Sequence, residues 1–247
     1  MSSTAIIIVN YNMPERTDAL CEEINKRVKS DYRLVVVDNG SDIVNPSRFT
    51  GLSLEKNVQT TGGWLAGLDH ADTLGKFDYY WFLITSTEFT SDVYDILTPM
   101  VEFMDANKEA VGIHPALTGD STTHWAHMIT RGGDEPRRTW MIDNIASLYR
   151  ADWFNSIGRF DRDMTYAWGI DLETCYKARV QNRSLWIDER VRVKKVTNIG
   201  YTMDRMNMSA GDRSMRASQN MTEVLQHKYG SNFWQLMTEH EVKPEWK

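Results

Sequence analysis

The chain is poor in cysteine, in excess positive charge and in long apolar runs, and each shortage closes off a class of protein. Two cysteines in 247 residues, Cys21 and Cys175, cannot build a disulfide framework, so a reducing compartment is expected. The formal net charge of −6 argues against a general nucleic-acid binder, which carries a basic excess. The N-terminal apolar run Ala5–Val9 is too short for the core of a signal peptide or for a membrane span. The resulting expectation is a soluble, cytoplasmic protein with no transmembrane segment. No Gly-x-Gly-x-x-Gly follows that first apolar run, which speaks against a nicotinamide-dependent dehydrogenase.

What is present is ordinary in amount and informative in order. Charged residues make up 25% and apolar residues 41%, as in a soluble globular domain, and the length suffices for one domain with an elaborated C-terminal part. Nine tryptophans can serve as core or as faces that stack on sugar rings. Ile6–Val9 and Leu34–Val37 are β-branched runs without alternation, the pattern of strands buried on both faces. Leu52–Leu54 suggests a short third strand, Tyr79–Leu83 a fourth and Val111–Ile113 a fifth. Helical spacing appears at Leu20, Ile24 and Val28, after Thr61-Gly62-Gly63, over Val93–Met104, and over Asp171–Val180. Gly119–Arg138 reads as irregular. Met141–Leu148, Leu185–Ile187 and Val191–Val196 read as further strands, and Ala151–Ile157 as a short helix. Thr202–Ala217 is polar, Met-rich and basic, a candidate flap, with closing helices over Ser218–Tyr229 and Asn232–Met237. Strand and helix alternate, which predicts an α/β fold around a mainly parallel sheet.

In such sheets ligands bind beyond the carboxyl ends of the strands. Three of those ends carry polar residues: Asn10-Tyr11-Asn12, Asp38-Asn39-Gly40-Ser41 and Thr85-Ser86-Thr87-Glu88. Asp38 can accept from a base ring N–H while Tyr11 stacks on that base; equally, Asp-Asn-Gly can do no more than shape a turn.

Four segments in order resemble family 2 glycosyltransferases: Ile6–Asn12, Val35–Asp42, Asn57–Ala71 with its Asn-x-x-x-x-Gly-Gly-x-x-x-Gly spacing, and Trp140–Arg179. The last is the most specific, running Ile142-Asp143-Asn144-Ile145-Ala146-Ser147-Leu148-Tyr149-Arg150, then Ile157-Gly158-Arg159-Phe160-Asp161, then Trp168-Gly169-Ile170-Asp171-Leu172-Glu173. The similarity covers about residues 5–200, and the Gly-Gly segment looks most like rhamnosyl- and galactofuranosyl-transferring members. The resemblance implies a GT-A fold over 1–200, with the flap and C-terminal helices of 201–247 packed on the same domain. It implies an inverting transferase of polysaccharide biosynthesis, moving a hexosyl or deoxyhexosyl group from a nucleotide-sugar donor to a hydroxyl of a glycan or lipid-linked acceptor. Asp171 matches the catalytic base, although an Asp before a helix also suits a cap. Donor-side matches are Asn10, Tyr11, Asp38, Asn57, Gly62 and Gly63, and Ser86 and Thr87 are candidates to hydrogen-bond the donor's phosphate oxygens. Acceptor-side candidates are Trp140, Asp143 and Trp168, with core packing the competing role for either tryptophan. Glu173 takes the family's following acidic position, where it also suits the helix dipole.

The pattern breaks at the cation. The family's Asp-x-Asp falls on Ile84-Thr85-Ser86, the acidic partner before the base is Ile170, and the downstream His is replaced near Thr197-Asn198. Manganese or magnesium is the family's usual cofactor, yet its usual ligands are missing, and hard cations require oxygen ligands of that kind. Glu88 is a candidate single ligand or a solvated strand-end residue. Lys194, Lys195, Arg205, Arg213 and Arg216 are candidates to carry the diphosphate charge instead. Two functions therefore stand side by side: a transferase that works without the usual metal, and a nucleotide-sugar or glycan-binding module that kept the fold and lost turnover.

Overall fold

The computed structural model describes residues 2–90, 92–123, 125–196 and 208–239. Its centre is β1 (Thr4–Asn10), in which Ala5, Ile6, Ile7 and Ile8 are wholly buried. The run lacks alternation because both faces of the strand are covered. It lies parallel between β2 (Tyr32–Asp38) and β4 (Tyr79–Leu83), with Ile7 opposite Val35 on one side and Phe82 on the other. The short β3 (Leu52–Ser53) extends this parallel half beyond β2.

The other half changes direction. The remaining strands are β5 (Thr87–Phe89), β6 (Ala110–Leu117), β7 (Pro136–Thr139), β8 (Leu148–Arg150) and β9 (Ser184–Lys195). The order across the sheet is β3-β2-β1-β4-β8-β6-β9-β5, with β7 also on β9. Because β8 is antiparallel to both β4 and β6, and β5 and β7 are antiparallel to β9, the sheet is mixed where the sequence suggested a mainly parallel one. The two strands expected over 185–196 form one, whose pairing with β6 skips from Asp188 to Arg192. The skipped segment holds Glu189, buried against Arg137 at 2.7 Å.

Helix α1 (Pro14–Arg27) starts on a proline, carries Glu15 in its first turn and Lys26 and Arg27 in its last, and buries Thr17, Leu20, Cys21 and Ile24. In α2 (Gln59–Leu74) two glycines set the distance to the sheet: a Cβ on Gly63 would lie 2.7 Å from Val9 Cγ1, and one on Gly67 2.7 Å from Ile7 Cγ2. Helix α3 (Thr98–Ala106) begins later than the sequence suggested, at a Thr-Pro start where the Asp95 carboxylate accepts from the N–H groups of Leu97 and Thr98. Helices α4 (Ala151–Ser156) and α5 (Ile170–Val180) fall as expected. Helix α6 (Ala210–Tyr229) starts inside the segment read as a flap, capped by the Ser209 hydroxyl accepting from Asp212 N–H, and α7 (Phe233–Thr238) follows.

Met141–Leu148 is not a strand up to residue 147. Its apolar residues are buried, but its backbone is held by turns and side chains. His114 Nε2 accepts from Ala146 N–H at 3.0 Å, and Ser147 Oγ donates to the Asp143 carbonyl at 2.7 Å. Its carbonyls also serve β4 and the turn after it: Ile145 O accepts from Ile84 N–H and Ser147 O from Phe82 N–H. His114 is wholly buried, and burial holds its pKa down at about 3, so the ring is neutral and structural.

Candidate active site

The carboxyl ends of β1, β2 and β4, the 143–145 turn, the 166–168 loop, the end of β9 and the start of α6 enclose a cleft of about 330 Å³. Two of its lining residues, Gln59 (φ 63°) and Ala167 (φ 65°), hold left-handed backbone that non-glycine residues rarely adopt. Asn57 fixes the first, its Oδ1 accepting from Gln59 N–H at 2.7 Å. Thr61 fixes the second: its hydroxyl donates to the Met164 carbonyl and accepts from Ala167 N–H at 3.1 Å. Such local strain concentrates at binding sites, where the surrounding structure over-determines it.

Of the donor-side candidates, Tyr11, Asn57 and Ser86 line the cleft. Asn10 and Asp38 lie behind it, bonded to one another at 2.9 Å. Asp38 also accepts from the Ser41 hydroxyl at 2.6 Å and the Ser41 N–H at 3.0 Å, while Asn10 Oδ1 accepts from Met13 N–H and the Thr17 hydroxyl. Both are buried and shape their turns. Asn39, the residue that follows β2, reaches the cleft. Gly62 and Gly63 lie inside α2 rather than in the lining, and Gly63 permits the close approach to Val9. Thr87 is buried, donating to the Ile145 carbonyl at 3.2 Å.

On the acceptor side, Asp143 and the half-exposed Trp168 line the cleft, joined by Tyr166. Trp140 does not; it packs against Trp125 and His127, with the Arg179 guanidinium 5.6 Å from its ring centroid.

Asp171 stands in the first turn of α5, after Gly169, whose φ of 86° sets the entry to the helix. Its Oδ1 accepts from Leu172 N–H at 2.8 Å. One turn further on, Cys175 Sγ contacts the Ile142 backbone, accepting from Ile142 N–H at 3.3 Å, and this brings Asp143 to the neighbourhood of Asp171. Burial, and then the Asp143 charge, push the Asp171 carboxyl up to about 7, against the opposing pull of the Leu172 N–H and Lys195. Glu173 faces other partners: Lys228 at 2.6 Å, Lys177 at 3.2 Å and the Tyr229 hydroxyl at 2.7 Å, a buried clamp that ties α6 to α5.

Among the described residues the cleft offers no ligand set for a divalent cation. Ile84 and Ser86 occupy the lining at the end of β4, Glu88 is bridged to Arg16 at 3.1 Å, and Asp38 is consumed by its turn. Among the described residues no three His, Cys, Asp or Glu side chains come together to hold a metal. Two cations reach the cleft instead, Lys195 at the end of β9 and Arg213 in the first turn of α6. Strand alternation sends Lys194 the other way, to Asp120 at 2.5 Å. Arg216 is exposed, and Arg205, Thr197 and Asn198 lie outside the described residues.

No protein-family model and no curated protein sequence matches the chain. Solved structures do match it. GalNAc-T7 with UDP, GalNAc and Mn2+ aligns over 95% of this chain at a TM-score of 0.66 and 13% identity. This chain spans 50% of that one. The mannosyltransferase PcManGT from Pyrobaculum calidifontis, in complex with GDP-Man and Mn2+, aligns over 94% of this chain and 71% of its own at a TM-score of 0.59 and 13% identity. These likenesses define the architecture: the chain has the GT-A fold of glycosyltransferases. No helix among the described residues is long and apolar enough to cross a membrane.

Proposed function

We propose that this protein transfers a sugar from a nucleoside-diphosphate donor to a hydroxyl with inversion, and does so without a divalent metal. One observation carries the reading: Asp143, Lys195 and Arg213 line one cleft at the strand ends of a GT-A fold, and Asp171, just behind that lining, feels the charges of both Asp143 and Lys195. Asp171 takes the proton of the acceptor hydroxyl as its oxygen attacks the anomeric carbon, and the bond from that carbon to the diphosphate oxygen breaks. The charge that develops on the departing diphosphate falls to Lys195 and Arg213. Tyr11, Tyr166 and Trp168 offer aromatic faces to base and sugar. The GT-A likeness to a GalNAc transferase and a mannosyltransferase supports glycosyl transfer in general. The family 2 resemblance supports a hexosyl or deoxyhexosyl donor, a glycan or lipid-linked acceptor, and a cytoplasmic role in polysaccharide biosynthesis.

The missing carboxylates at Ile84 and Ser86 favour a second reading, a binding module of the same fold. Release of UDP, GDP, dTDP or CMP from a panel of their sugar nucleotides separates the two. Turnover by the natural chain, abolished in Asp171→Asn while nucleotide binding persists, supports the enzyme; binding without turnover in both supports the module.

A further inference from the structure

Three N–H donors among the cleft residues lie buried without a hydrogen-bond partner: Trp64 Nε1, Asn144 Nδ2 and Arg213 Nε. Buried polar groups are normally paired, so three unmatched side-chain donors among the described residues of one cleft point to a ligand that supplies acceptors. Arg213 is charged and suits phosphate; the other two are neutral.

The Trp64 indole N–H can only donate. The Tyr149 hydroxyl pairs with Asn144 Oδ1 at 2.9 Å, which leaves the NH2 end of that amide without a partner. Both side chains are nearly inaccessible, Trp64 at 2% and Asn144 at 5% exposure. They rest on one aromatic floor: the Trp64 ring lies 5.7 Å from Phe82, and Phe82 lies 6.1 Å from Tyr149. That floor fixes the position of both donors before any ligand arrives.

We infer that Trp64 and Asn144 form a specificity-determining pair that reads the transferred sugar, each donating to one of its oxygens while Lys195 and Arg213 hold the diphosphate. This rests on the glycosyl-transfer reading and extends it by separating a neutral sugar subsite from a cationic phosphate subsite. The ligand class is a nucleotide sugar whose ring presents hydroxyl or ring oxygens to the floor.

Calorimetric titration of the whole chain in EDTA tests this, with UDP, GDP and dTDP as bare nucleotides and UDP-glucose, UDP-galactose, GDP-mannose and dTDP-rhamnose as their sugar forms. The natural chain is expected to bind at least one sugar form more tightly than its nucleotide. Trp64→Phe keeps the packing and deletes the N–H, and Asn144→Leu keeps the size, adds no charge and deletes the donor. Each should remove about tenfold of that preference, the size of one lost hydrogen bond, and leave the bare nucleotide within about twofold. Tyr149→Phe, which releases the Asn144 amide, gives the same sign through a third side chain. Full sugar preference in variants that melt normally, or equal losses for nucleotide and sugar nucleotide, would overturn the sugar subsite while leaving transfer standing. Absence of binding by every nucleotide would overturn both.

Discussion

Asp143 stands near Asp171 because Cys175 contacts the Ile142 backbone, and burial, then the Asp143 charge, raise the pKa of the Asp171 carboxyl. A base near neutrality is far more effective than an aspartate at its ordinary value of about 3.9.

Asp171 acts as base only when deprotonated, so kcat/KM should climb with pH through about 7 and then level off. Asp143→Asn removes the like charge and lowers the Asp171 pKa, which should move this rising limb to lower pH. A pH–rate profile unchanged in Asp143→Asn would show that the two carboxyls do not communicate.

Asp171 also costs stability. Its folded pKa is raised, so the protonated form is the one the fold favours. The group's contribution is greatest below the unfolded value and declines as pH rises toward the folded one. Asp171→Asn keeps the oxygen that accepts from Leu172 N–H and removes the charge. Its Tm should therefore exceed that of the natural chain above pH 7, by about 2–4 °C for each kcal/mol relieved, with no gain at pH 4. Transfer should fall by about 10²–10⁴-fold. Equal melting at both pH values would contradict the assignment of a partly buried, charged base.

Lys195→Ala and Arg213→Ala should each weaken binding of a bare nucleoside diphosphate by roughly 10–100-fold, the range for a lost charge-assisted hydrogen bond. Lys194→Ala, at the neighbouring but outward-facing position paired with Asp120, should change it little. Comparable losses in all three would mean that general positive charge, rather than the two cleft cations, attracts the ligand.

Two glycines should respond to alanine with opposite sign. At Gly67 the new methyl would sit 2.7 Å from Ile7 Cγ2, so overpacking of about 1–3 kcal/mol outweighs a helix-propensity gain of about 1 kcal/mol. At Gly211, in α6, the nearest atom is Ser209 Oγ at 3.8 Å, and the same change should stabilise. Chemical denaturation of the two variants reads both signs.

The α/β frame was legible in the sequence because Ile6–Val9, Leu34–Val37 and Tyr79–Leu83 are buried on both faces and therefore carry unbroken apolar runs. Strand direction was not legible, since the antiparallel insertion of β8 between β4 and β6 is decided by long-range pairing. The run over 141–147 misleads for a related reason: its apolar residues are buried, yet His114, Ser147 and Cys175 hold it in turns that no local periodicity announces. In the site, the loss of carboxylates at Ile84 and Ser86 was visible directly. Asp143 and Asp171 were both visible as candidates, but their mutual influence depends on Cys175 reaching Ile142 across the fold. Trp64 and Asn144 were passed over because a tryptophan in a helix and an asparagine in a turn have no local mark of function. Only the missing partners of the Trp64 N–H and the Asn144 NH2 set them apart.

The most direct measurement is a calorimetric titration of UDP and GDP into the intact protein, once in EDTA and once in manganese. Metal-independent capture by Lys195 and Arg213 predicts the same dissociation constant in both buffers for whichever nucleotide binds, and its loss in the Lys195→Ala, Arg213→Ala double variant. Binding that appears only with manganese, or that survives the double variant, would contradict it.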